Sequence, residues 1–108
     1  MRITPLRQPS FYILAALARD RLHGYAIIKD AEAATEGRVT IQVGTLYAAL
    51  DRLASEGLVR ADGDDVVDGR PRRYFALTDA GRIALRAEAE RMAAGVALVR
   101  RRLDGVIA

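Results

Sequence analysis

A chain of 108 residues suffices for one domain around one hydrophobic core, with a single appended helix's worth of chain to spare. Apolar side chains make up 51% and aromatic ones only 6%, which excludes a disordered chain and leaves the core to Ala, Leu, Val and Ile, a composition that favours helices over a β-sandwich. The net charge of +3 points weakly to an acidic partner, while the lack of cysteine and the single histidine exclude disulfides and leave catalytic triads and metal sites almost without material, so neither an enzyme nor a metal or other cofactor is expected.

Met1 to Pro9 holds no apolar stretch of the secretory kind, and the longest apolar run, Phe11 to Ala18, is far too short to span a membrane. A cytoplasmic protein is the expectation. Ser10 reads as the cap of a first helix running to about Arg19. Asp20 to Gly24 is a polar turn, and a second helix follows to about Thr35, its apolar side formed by Tyr25, Ile27, Ile28 and Ala31. Gly37 suits a left-handed helix end, and Val39 to Ile41 reads as a short strand. The third helix, from about Val43 to Glu56, buries Leu46, Ala49, Leu50 and Leu53 and presents Gly44, Ala48, Asp51 and Ser55 on its open face, with Thr45, Arg52 and Tyr47 at the margins.

Leu58 to Ala61 and Arg73 to Leu77 are strand candidates, separated by a polar loop from Asp62 to Pro71. That loop carries Asp62, Asp64, Asp65 and Asp68, so the rest of the chain is more basic than the total implies. Thr78 then caps a long fourth helix reaching about Leu103, with Asp79 favourable in its first turn. Leu85, Ala89, Met92, Val96, Val99 and Leu103 are spaced alternately by four and three, the seam of a left-handed coiled coil. About 25 residues span roughly 37 Å, more than so small a core can cover, so a second copy is the expected partner.

Helices two and three form a helix-turn-helix, and the hairpin behind them makes it winged. The fold class is therefore mainly α with a small β-hairpin: a winged helix-turn-helix over residues 1–77 and a C-terminal dimerisation helix over 78–108. In this geometry the third helix enters a major groove with its N-terminus leading, and Gly44 and Thr45 offer main-chain N–H groups to phosphate.

The chain also resembles a known family. Gly24-Tyr25, Gly44-Thr45-Leu46-Tyr47 with Leu50 and Leu53, Gly57-Leu58-Val59, Gly69-Arg70-Pro71-Arg72-Arg73-Tyr74 and Leu77-Thr78-Asp79-Ala80-Gly81 follow the pattern of PadR-type transcriptional regulators. The Gly-Thr-Leu-Tyr element and the Arg-Pro-Arg wing together are specific. The resemblance covers about Phe11 to Gly81, with the terminal helix in the place expected of the subfamily that has a single C-terminal dimerisation helix. It implies a homodimeric repressor on a pseudo-palindromic operator in double-stranded DNA, relieved by a small hydrophobic or aromatic effector. The family's effector space between the first and last helices would be lined here by Phe11, Leu14, Met92 and Val96. A winged-helix module that contacts protein rather than DNA is the alternative. One departure stands out: where the family usually has a Ser-Pro pair, this chain has Gln42 and Val43. Gln is a poor cap, so either Thr40 takes over or the helix start frays until DNA binds, and the base preference of relatives does not transfer to these positions.

The candidate DNA contacts are accordingly Thr40, Gln42, Gly44, Thr45, Tyr47, Arg70 and Arg72, with Gln42 suited to an adenine edge and Arg38 and Arg52 as secondary phosphate contacts. Tyr25 reads as core, His23 as a structural histidine, and Arg100 to Arg102 as a solvated face opposing the dipole of the last helix. The acidic loop lacks the ligand spacing of a calcium site and should turn away from DNA.

Overall fold

The computed structural model describes residues 6–105. The elements run α1 (Gln8–Leu17), β1 (Leu22–His23), α2 (Gly24–Ala34), α3 (Val43–Ser55), β2 (Val59–Val67), β3 (Arg70–Leu77) and α4 (Asp79–Asp104). The expected mainly helical winged helix-turn-helix is present, with α1 to α3 packed around one core and a three-stranded antiparallel sheet beside them.

The core takes Ile13, Leu14 and Leu17 from α1, Ile27 and Ala31 from α2, and Leu46, Ala49, Leu50 and Leu53 from α3, closed by Val59 and Phe75 of the sheet. Each fully buried Leu or Ile contributes roughly 1.5–3 kcal/mol, so the buried stripe of α3 fixes which of its faces stays open. Helix α1 begins earlier than expected, with Arg7 rather than Ser10 at the cap position and Gln8 as its first residue; Pro9 falls in the first turn, which proline's fixed φ suits. Ser10 is buried instead and accepts a 2.8 Å hydrogen bond from Arg52 Nη2, which ties α1 to α3.

Two strand expectations are corrected. The short strand lies at Leu22–His23, inside the supposed polar turn, where it pairs with Phe75 and Tyr74 of β3. Val39 and Ile41 form none; both side chains turn into the core, and the Val39 N–H bonds the Thr35 hydroxyl at 2.9 Å. The hairpin is also longer than expected, because most of the acidic loop is strand. Asp64 faces Arg73 and Asp65 faces Arg72 across the ladder, so opposite charges replace the apolar alternation that marks a strand in sequence. The turn has shrunk to Asp68-Gly69, both with positive φ (53° and 75°), the two-residue geometry that suits the twist of a hairpin. An irregularity between Ala61 and Asp64 bends β2 on the way.

Helix α4 starts as expected. Thr78 Oγ1 accepts from the Gly81 N–H at 2.9 Å and donates to the Gly57 carbonyl at 2.6 Å, joining the helix start to the end of α3. Gly81 has no room for a side chain: a Cβ there would lie 2.0 Å from the Leu58 carbonyl oxygen. Leu85 packs against the core, and the Glu88 carboxylate accepts from Arg91 and then from the Leu6 N–H, which hold its pKa below the usual carboxylate value. From Ala89 onward every described residue of the helix is exposed. The molecule measures 57 × 34 × 22 Å, and α4, about 39 Å long, accounts for the elongation.

Candidate nucleic-acid interface

The open edge of α3 is set by its buried stripe. With Leu46, Ala49, Leu50 and Leu53 turned in, Gln42, Val43, Gly44, Thr45, Tyr47 and Ala48 all face solvent. The helix starts at Gln42, whose side chain makes no capping bond, and the exposed Thr40 does not replace it. The N–H groups of the first turn therefore remain available, and with them the positive end of the helix dipole.

Tyr47 is 44% exposed, and its ring approaches Phe75 edge-on at 6.5 Å. Its hydroxyl lies against Gly24, where a Cβ would come within 2.5 Å of that oxygen. The Gly24 and Tyr47 of the two sequence motifs thus meet, and the absent side chain of one makes the seat for the other. Tyr25 follows directly and corrects an expectation: it is 54% exposed rather than core. Gly24, Ile27 and Ala31 form the inward line of α2, and Tyr25 stands about 100° away from it.

Over the Tyr25 ring lie two cations, Lys29 at 5.6 Å and Arg72 at 5.7 Å. Arg72 is half-buried and its Nε has no hydrogen-bond partner, whereas Arg70 is exposed beside the hairpin turn. Tyr25 and Lys29 are thus additional members of the edge, and only a pairing of aromatic and basic residues one helical turn apart hinted at them in the sequence. The edge runs from the start of α3 through Tyr47, Gly24 and Tyr25 to Arg72 of the wing.

His23 holds this corner rather than serving it chemically. Its Nδ1 accepts from the Ala26 N–H at 3.3 Å and caps α2, and its ring meets Tyr74 edge-on at 5.5 Å. Burial, and then the positive charge of Arg72, lower its pKa, which keeps the capping nitrogen unprotonated. Arg21 covers the other side of the Tyr74 ring at 4.2 Å and donates to the Asp62 carbonyl, while Arg60 pairs with the Asp62 carboxylate at 2.8 Å. Arg38 pairs with Glu36 in the open.

The residues expected around an effector do not form a cavity within one chain. Leu14 is fully buried in the core, while Met92 and Val96 face solvent at 46% and 49% exposure. Two shallow grooves lie between α1 and α2, both lined by Ala16, Arg19 and Asp30. Among the described residues, no cluster of His, Asp and Glu is placed to hold a metal ion, and no helix is long and apolar enough to cross a membrane.

Residues 13–87 match the transcriptional regulator PadR-like family. Transcriptional regulator Rv3488 of Mycobacterium tuberculosis is 39% identical over 74 residues, which is 68% of this chain and 65% of that protein. The chain thus spans just under two thirds of that regulator's length. Among solved structures, smu.1704 of Streptococcus mutans UA159 superposes with a TM-score of 0.74 at 23% identity, over 99% of this chain and 98% of the other. Bacillus subtilis PadR in complex with operator DNA superposes with a TM-score of 0.67 at 23% identity, over 78% of this chain and 46% of that one. At these identities the superpositions speak for the fold.

Proposed function

The chain belongs to the PadR-like family of transcriptional regulators, and from that premise we propose that it is a homodimeric repressor that binds a pseudo-palindromic operator. Residues 1–77 form the DNA-reading body in this proposal, and 78–108 the dimerisation helix. One observation carries it: the exposed start of α3 and the wing arginines are joined into one edge by the Gly24–Tyr47 seat and the Tyr25–Arg72 stack.

In this reading α3 enters the major groove. The Gly44 and Thr45 N–H groups and Tyr47 hold phosphates, Thr40 and Gln42 approach the bases, and Arg70 and Arg72 grip the backbone beside the wing. Tyr25 orients Arg72 and, with Lys29, extends the phosphate track. Ala89, Met92, Val96, Val99 and Leu103 pack against a second copy, with Leu85 anchoring the helix to its own body. The pairing would set the two α3 helices about 34 Å apart, one turn of DNA. A small hydrophobic or aromatic effector would act where Phe11 of one copy approaches the exposed Met92 and Val96, shifting that spacing and releasing the operator.

The test is fluorescence anisotropy on the DNA upstream of the protein's own gene, titrated with salt. Arg72→Ala should weaken binding at least tenfold at any sequence and reduce the salt slope by roughly one unit per protomer. An unchanged slope removes the wing from the contact set, and no binding to any duplex would favour a protein-contact module.

A further inference from the structure

Which residues of the α3 edge can tell one base pair from another follows from what each side chain is already doing. Gly44 has none and Ala48 ends at a methyl group close to the backbone. The Tyr47 hydroxyl is seated against Gly24, so it belongs to the protein–phosphate side of the edge. Arg52 is bound to Ser10. The exposed Thr40 and Thr45 hydroxyls both donate and accept and so favour no one base edge; the two neighbouring side chains with a base preference of their own are Gln42 and Val43. The Gln42 amide makes no capping bond although it stands at the cap position, and Val43, the first residue of the helix, is 63% exposed with its branched methyls in solvent. A β-branched apolar residue contributes little to a helix start by itself, and this one is mostly exposed.

We infer that Gln42 and Val43 together read an A·T-containing step: Gln42 takes the N6 and N7 edge of an adenine, and Val43 covers the C5-methyl group of a thymine. In the major groove only thymine offers a methyl group, and adenine alone presents the acceptor–donor pair that an amide matches with two bonds. Adjacent positions at the leading end of a helix point about 100° apart, so the two side chains suit neighbouring base pairs rather than one. This inference rests on the reading of α3 as the groove-entering helix and adds which bases that helix prefers.

The experiment selects duplexes from a random-sequence library with the full-length wild-type protein. It then measures affinity for the selected duplex with single thymines replaced by deoxyuridine, which removes one methyl group and nothing else. A replacement in one half-site should cost the wild type roughly fourfold, the worth of one buried methyl group. Val43→Ala should bind the thymine and uracil forms equally. Gln42→Ala should lose about tenfold at the selected adenine while keeping its salt slope. Both side chains are exposed, and matched melting temperatures check that the variants are folded. Half-sites holding only G·C pairs, indifference of the wild type to every deoxyuridine, or methyl discrimination retained by Val43→Ala would each overturn the inference while leaving DNA binding intact. Failure to retain any duplex would overturn the underlying reading instead.

Discussion

The winged-helix body and the distal turns of α4 carry the same kind of side chain in opposite circumstances. In the body, Leu46 and Leu50 are sealed; along α4, Val99 is half exposed and Leu103 is 79% exposed. Both sets recur at helical spacing. The body's stripe meets other elements of its own chain, whereas beyond Glu88 every described residue of α4 is exposed. A seven-residue apolar repeat in solvent is the pattern of a coiled-coil seam. The body folds on its own contacts, and in the proposed dimer a second copy would cover the distal helix.

The sharpest way to separate the two is to damage each in turn. Leu50→Ala removes a fully buried side chain and should cost about 2–5 kcal/mol, lowering the melting temperature by 10 °C or more in calorimetry. A loss below 1 kcal/mol would mean that the body's core is not closed by α3. Val96→Asp should leave the body's fold in place but place a charge in the proposed seam. Sedimentation should then report monomers, and operator affinity should fall about a hundredfold with the loss of bivalent binding. An intact dimer would end the seam model.

The sequence conveyed these two regions unequally. The core stripe of α3, the Thr78 cap and the extent of α4 were legible because periodicity and capping act locally. The hairpin was not: Asp64 and Asp65 look like loop residues until Arg73 and Arg72 are seen across the ladder, and cross-strand partners have no signature along the chain. Tyr25 was misread for a related reason, since apolar character suggested core while its position on α2 places it between Lys29 and Arg72. Ser10 looked like a cap by type, but Arg7 holds that position. The edge proposed to meet DNA was half legible. Its motif residues could be named, but the contact of Gly24 with Tyr47 joins segments more than twenty residues apart.

That contact offers a milder break, confined to the body. Gly24→Ala places a methyl group against the Tyr47 hydroxyl, which must move. The expected cost is about 1 kcal/mol of stability together with weaker DNA binding, while the dimer measured by sedimentation stays intact. In a Tyr47→Phe background the same substitution should cost clearly less, because the crowding atom is gone. Equal costs in the two backgrounds would show that the seat does not position Tyr47.

The smallest effect concerns protons and again belongs to the body alone. His23 is held neutral in the fold, by burial first and by Arg72 second, because its Nδ1 must accept the Ala26 N–H. The unfolded chain protonates this ring near the ordinary value of about 6.5, and the folded chain does so only at lower pH. Between those two values the unfolded state therefore binds more protons, and stability declines as pH falls. Above the ordinary value the contribution is constant, and below the folded value the decline from this group stops. His23→Asn keeps a capping acceptor but cannot titrate, so its melting temperature should change less between pH 7.5 and 5.5 than that of the wild type. Dissociation of the dimer should show no matching difference, because His23 sits at the start of α2 and the exposed turns of α4 are built from other residues. If the dimer followed the same titration, the body and the distal helix would be coupled more closely than their packing implies.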